Sequence, residues 1–313
     1  MKRTAVLILL TALLCVLAAG CGAEDVPQEQ PTPDPHEGQV YIYDGYGWTW
    51  MTPLEGVETN VFTADDFEDS NGEPVYVGTE YTVKKGIDVS EHQHAIDWNA
   101  VAKENLDFAY IRAGRRGYTQ GGLFTDEYFD VNMKGASGIG LETGVYFFSQ
   151  AITEQEAVEE AEYILDLIKP YNITLPIVYD WEKIDEPDAR TKDLDVDTLT
   201  TCAVAFCETI KSAGYEPCVY YNRTIGYYRY DLTQLTDYKV WFALPYEPPD
   251  ITYPSFYYRF DMWQYTIEGT CSGIDTETDF DFIFTPVSVN EASAATDGDS
   301  SGQVVYEETV IIK

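Results

Sequence analysis

Pro176-Ile177-Val178-Tyr179-Asp180-Trp181-Glu182 is the stretch on which the reading of this chain turns. Ile177, Val178 and Tyr179 are residues that fit a pleated strand. Their unbroken apolar run is the pattern of a strand buried on both faces. The run ends in two acids separated by a tryptophan. Side chains two apart on a strand share a face, so Asp180 and Glu182 point together and Trp181 points away. Neighbouring carboxylates repel when both ionise, and one of them then holds its proton to higher pH. A glutamic acid in that state can protonate a leaving group, and a pair of this kind is the minimum equipment for cleaving a glycosidic bond.

Seven more short β-rich runs flank this one, at 86–90, 108–114, 144–149, 217–222, 240–245, 261–266 and 278–284. Helical patterns separate the earlier runs. Over 153–169, Ala157, Ala161, Ile164, Leu165 and Ile168 fall on one face with acids on the other. Over 198–213, Leu199, Ala203, Phe206 and Ile210 do the same, and Gly214 stops the helix. After the fifth run the spacers shorten and lose helical periodicity. The expected fold is α/β, a (β/α) barrel of eight strands with a degenerate second half, and an open doubly wound sheet is the competing architecture. Catalytic groups of such a barrel sit at the carboxyl ends of its strands. That places Asp88, the pair Asp180 and Glu182, and Asp279 at one mouth. In a chain with 54 acids an i, i+2 pair is ordinarily a solvated face. Acids closing a buried strand are different, because they are costly there without work or partners.

At these residues the chain resembles glycoside hydrolase family 25, the Chalaropsis-type lysozymes. Gly86-Ile87-Asp88-Val89-Ser90, with Gln93 and Ile96-Asp97-Trp98, looks like the opening motif of that family, and Phe108-Ala109-Tyr110-Ile111-Arg112-Ala113-Gly114 looks like its second strand. Asp126, Phe129 and Asn132 are similar to its next helix. Gly144-Val145-Tyr146-Phe147-Phe148-Ser149 resembles the third strand, Asp180-Trp181-Glu182 the acid pair, Trp263-Gln264-Tyr265 a late strand and Asp279 the final acid. The likeness runs in order over about residues 84–284. It implies an irregular barrel of eight strands with fewer helices, of (β/α)5(β)3 type. It also implies hydrolysis, with retention, of the β-1,4 bond between N-acetylmuramic acid and N-acetylglucosamine in peptidoglycan. On this resemblance Glu182 is the general acid and then base. Asp180 is the nucleophile or the stabiliser of an oxazolinium formed by the substrate's own acetamido group, a recognised variant of the two-carboxylate scheme. Asp88 and Asp279 orient the pair, and no cofactor or metal is needed. Phe147 stands where many members carry His, and Asp281 where Asn is common.

Tyr146, Tyr220, Trp241, Tyr246 and Trp263 lie near strand ends and are candidates to line a sugar groove; core packing is the competing role for each. Gln264 is a candidate to bond a sugar or a neighbouring acid, and Arg112 to contact substrate or pair with a barrel acid. His92 and His94 read as surface residues of a loop.

The flanks differ in kind. Lys2 and Arg3, the apolar run 5–17 and Ala18-Ala19-Gly20-Cys21 form an export signal over 1–20. Its end resembles a lipobox in which Cys21 is lipidated, with plain secretory cleavage as the alternative. Residues 21–38 read as a flexible linker. Residues 39–83 read as an aromatic, acidic lead-in packed on the barrel, or else a small aromatic binding module. Residues 285–313 read as a second linker and an extra strand. The expected location is the outer face of the cytoplasmic membrane, held through lipid at Cys21, or the exterior if no lipid is added. The chain is expected to be monomeric. A net charge of −35 excludes nucleic acid as a partner. Cys202, Cys207, Cys218 and Cys271 are either small buried thiols or include one disulfide. Two other functions stay open: a catalytically silent glycan-binding lipoprotein on the same fold, which should lack one of the four acids, and a cation- or solute-binding lipoprotein, which should show loop-type calcium spacing.

Overall fold

The computed structural model describes residues 34–244 and 253–287. Two antiparallel hairpins come first, β1 (Val40–Tyr43) with β2 (Trp48–Met51), and β3 (Phe67–Ser70) with β4 (Glu73–Tyr76). Eight of the nine strands that follow form the barrel: β5 (Tyr81–Val89), β6 (Phe108–Arg116), β8 (Glu142–Ser149), β9 (Ile177–Trp181), β10 (Pro217–Asn222), β11 (Lys239–Ala243), β12 (Met262–Gly269) and β13 (Thr278–Pro286). The short β7 (Leu123–Thr125) folds back on β6. Five α-helices lie between the strands of the first half: α1 (Trp98–Val101), α2 (Phe129–Gly138), α3 (Glu154–Leu167), α4 (Val196–Ser212) and α5 (Arg223–Tyr228). Among the described residues no α-helix follows β11. This is the expected (β/α)5(β)3 pattern.

The strands run in the order β5-β13-β12-β11-β10-β9-β8-β6, and β5 also pairs with β6. That last ladder closes the sheet, so the open doubly wound alternative is wrong. All neighbours are parallel except β13, which is antiparallel to both β12 and β5. A short link such as 270–277 can build a hairpin but not a crossover. The reversal corrects one expectation: Asp279 lies at the start of its strand, and still reaches the same mouth as Asp88 because that strand runs the other way.

Strand alternation divides the core in two. Phe108, Tyr110, Tyr146, Val178, Cys218, Trp241 and Met262 point inward and fill the barrel. Ile87, Ile111, Phe147, Tyr179, Trp181, Val219, Phe242 and Trp263 point outward, under the helices and the lead-in. Two inward positions must be glycine. A Cβ on Gly86 would come within 2.4 Å of the Phe108 ring, and one on Gly144 within 2.3 Å of Tyr110. Large rings can then cross a narrow lumen.

The helices form for local reasons. The Thr153 side chain accepts the Glu156 amide to cap α3, and Asp195 does the same for the Thr198 amide on α4. Gly214, with φ of 88°, ends the latter segment. One acid of α3 breaks the amphipathic expectation. Glu160 is fully buried, held by Arg116 Nε at 2.7 Å and by the Ser149 hydroxyl at 2.6 Å. The lead-in joins the outer core through Phe62 and Phe67, which pack on Phe260, Trp263 and Phe284. Cys202, Cys207, Cys218 and Cys271 are buried free thiols.

Candidate active site

Inward-facing residues at one barrel mouth build the site. Asp88 on β5 stands directly opposite Asp279 on β13. Asp281, two residues on and therefore on the same face, faces the bare Gly86. Gln264 on β12 ties the group together. Its Nε2 donates to Asp88 Oδ2 at 2.7 Å and to Asp279 Oδ2 at 3.3 Å, and its Oε1 accepts the Tyr220 hydroxyl at 3.0 Å. Trp241 Nε1 donates to Asp281 Oδ1 at 3.0 Å. Tyr146 and Asp281 stand close enough to the Asp88 carboxyl to influence its charge. On the far side, Asp180 is the last residue but one of β9, next to Tyr220 in register, and Glu182 follows just past the strand. The Asp180 Oδ1 atom is buried and has no hydrogen-bond partner among the described residues.

Glu182 is held through its backbone. Its carbonyl accepts Gln150 Nε2 at 3.0 Å, and Gln150 Oε1 accepts the Thr191 hydroxyl at 2.6 Å. Gln150 and Thr191 are both fully buried. Arg112 reaches the same mouth but is engaged by other acids, Asp126 at 2.8 Å and Glu91 at 2.9 Å.

Five carboxyls thus converge: Asp88, Asp180, Glu182, Asp279 and Asp281. Burial disfavours charge on every one, and mutual repulsion adds to it. Asp88 is pushed up to about 7 by burial and by Glu182, against the hydrogen bond from Gln264. Burial, with Asp88 and Glu182 nearby, pushes Asp279 up to about 9. Asp180 is driven well above the usual carboxylate range by burial, Glu182 and Asp88, with Arg112 opposing. Asp281 is driven up by burial and by Asp88 and Asp279. Glu182 is raised by burial. The cluster therefore keeps several protons at neutral pH and behaves as a shared titration. Tyr146 and Tyr220 remain neutral phenols, because burial beside these acids raises them well above 10.

Asp88, Arg112, Tyr146, Asp180, Glu182, Tyr220, Trp241, Gln264 and Asp279 all line an inner cleft of about 190 Å³. It shares Glu182, Tyr220, Gln264 and Asp279 with an outer groove of about 720 Å³. Most of the residues expected at the site are therefore brought together. Trp263 is not. It is the outward neighbour of Gln264, packs on Phe67, Tyr265 and Phe282, and faces the lead-in; a one-residue step on a strand reverses the face. Tyr246 lies outside the described residues. His92, read as a surface residue, is exposed yet borders both cavities. Two participants are not among the expected site residues, although the sequence marks Asp281 as standing where the resembled family commonly has Asn. Asp281 carried a usable signal, its i+2 spacing from Asp279 on one strand. Gln150 carried none, because its role depends on a loop meeting another loop.

The model of the family Glycosyl hydrolases family 25 matches residues 87–274. The autolytic lysozyme of Clostridium acetobutylicum is 25% identical over 198 residues, covering 63% of this chain and 55% of that protein. Protein YegX of Escherichia coli K12 is 29% identical over 231 residues, covering 72% and 77%. Among solved structures, the modular autolysin LytC from Streptococcus pneumoniae in complex with a synthetic peptidoglycan ligand superposes with a TM-score of 0.58 at 28% identity. That match covers 80% of this chain and 57% of LytC. A family 25 glycosyl hydrolase from Bacillus anthracis, at 22% identity and a TM-score of 0.52, shares the fold over 74% of this chain and 98% of its own. The chain thus spans little more than half the length of the autolytic lysozyme and of LytC.

Proposed function

The chain belongs to glycosyl hydrolases family 25, and on that premise we propose that it is a lysozyme-type muramidase cutting the β-1,4 bond between N-acetylmuramic acid and N-acetylglucosamine in peptidoglycan. The observation that carries this reading is the pairing of Glu182 with Asp180 over the bed of Asp88, Asp279 and Gln264, at the floor of an open groove. Glu182 is the general acid. Its raised affinity for the proton lets it arrive charged with one and deliver it to the leaving O4 oxygen as the C1–O4 bond breaks. The acetamido oxygen of the N-acetylmuramic acid that carries C1 attacks that carbon to give an oxazolinium as O4 leaves with its sugar. Asp180 offers its open Oδ1 to the acetamido N–H, and that hydrogen bond stabilises the oxazolinium. Water then attacks C1, Glu182 takes its proton, and the anomeric configuration is retained. Asp88 and Asp279 fix the geometry through Gln264, whose amide donates to both. The four-acid set is complete, which speaks against a silent glycan-binding protein.

The same reading places the protein outside the cytoplasm, where its substrate is. The signal at 1–20, the lipid at Cys21 and the strand at 304–312 all lie outside the described residues. The test is direct: the purified exported chain, added to isolated peptidoglycan, releases muramic acid reducing ends. Release of N-acetylglucosamine ends, or of none from any wall tried, overturns the proposal.

A further inference from the structure

The β1–β2 hairpin precedes the residues matched by the family model and has no part in the catalytic set. Its two faces differ. Ile42 is buried and Met51 packs on the outer core. The other face carries only aromatic rings: Tyr41 opposite Trp50, and Tyr43 opposite Trp48. Tyr41 stacks on Trp48 at 5.5 Å and lies 5.0 Å from Trp50, so the rings form one continuous surface. Burial does not account for them. Tyr41, Trp48 and Trp50 are 54%, 55% and 43% exposed.

The hairpin is locked to the barrel mouth. Arg223, buried at the start of α5, donates to the Tyr43 carbonyl at 2.8 Å and lies over the Tyr43 ring. The Tyr228 hydroxyl donates to Asp44. Gly45, with φ of 102°, sits so close to Thr224 that a Cβ would come within 2.5 Å of its hydroxyl. The turn therefore forms part of the wall of the outer groove: Tyr43 and Gly45 line it together with Glu182 and Asp279. Tyr46 and Tyr228, 6.3 Å apart, border a side cavity that also reaches Glu182.

We propose that the aromatic face of this hairpin is a docking platform for the glycan strand of peptidoglycan, holding sugars beyond those in the catalytic groove. The inference rests on the muramidase reading. Three observations select the occupant. The platform is continuous with the groove through Tyr43. Flat rings match the C–H faces of pyranoses while leaving the hydroxyls in water. Its single charged residue, Asp44, is turned inward onto Tyr228 and the amides of Tyr46 and Gly47. An uncharged surface on a chain of net charge −35 suits a neutral N-acetylhexosamine backbone, not a polyanion or a polycation.

The test measures binding, not turnover. In the full exported chain carrying Glu182→Gln, co-sedimentation with purified peptidoglycan is compared with and without Trp48→Ala and Trp50→Ala. The platform predicts binding weaker by about tenfold, consistent with loss of two stacking contacts, and recovery with Trp48→Phe and Trp50→Phe. Phe124→Ala, an exposed ring on β7 away from the groove, leaves binding as it was. Undiminished binding in the double alanine variant, with an unchanged thermal melt, overturns the proposal. So does a dimer in sedimentation that the substitutions dissociate, since a second copy would then be the occupant. Failure of the muramidase reading shows separately, as absence of muramic ends from the wild-type chain.

Discussion

Asp281 shows what a single residue can and cannot reveal. Its carboxyl is buried and accepts the Trp241 indole N–H, and burial beside Asp88 and Asp279 makes it hold its proton. An amide is neutral in the same place and can still accept from Trp241. Asp281→Asn should therefore keep turnover on peptidoglycan within about tenfold of wild type, whereas Asp88→Asn should fall by two orders of magnitude or more; equal losses would remove the distinction. The raised acids also set a pH dependence of stability. Asp88, near 7, and Asp279, near 9, keep protons in the fold that the unfolded chain releases around 3.8. The stability they contribute is complete below that ordinary range and is lost as pH rises through 7 and 9. Asp279→Asn removes the charging step. Its melting temperature should exceed wild type at pH 9, by a gain of about 1–2 kcal/mol, and match it at pH 4. A constant offset at both pH values would show that the proton is not involved.

Elements explain why part of the site was legible. Strand-end position and period-two alternation are strong signals, so Asp88, Asp180, Glu182 and Asp279 could be assigned to one mouth from their own runs. Alternation does not say which face of an all-apolar strand is inward, and Trp263 shows the consequence. It belongs to the outer core. Trp263→Ala should destabilise the chain by roughly 3–5 kcal/mol in urea unfolding; a loss confined to substrate binding would restore its sugar-facing role. The direction of β13 was equally hidden, because strand sense depends on the length of the link and not on the run itself. Gln150 lies further out of reach, since its contact joins the loop after β8 to the one after β9. Gln150→Ala frees the backbone of Glu182 without touching its carboxyl. It should lower kcat by about tenfold and leave KM near wild type, and a change in KM alone would assign Gln150 to substrate binding instead.

At the scale of the whole molecule, charge and chemistry pull against each other. The chain carries −35 and cuts, on this account, a polymer often accompanied by anionic wall components. Raising ionic strength from 0.01 to 0.15 M shortens the screening length from about 30 to about 8 Å. Activity on walls that retain anionic polymers should rise severalfold over that range, and activity on stripped peptidoglycan should change little. The aromatic face of the β1–β2 hairpin, as proposed, offers a neutral point of attachment within this negative surface. All of it depends on one proton. The most direct measurement is the rate at which muramic reducing ends appear from stripped peptidoglycan with wild-type chain and with Glu182→Gln, each shown to melt at the same temperature. The account predicts a loss of at least about a hundredfold in the variant. Wild-type turnover by Glu182→Gln would contradict it.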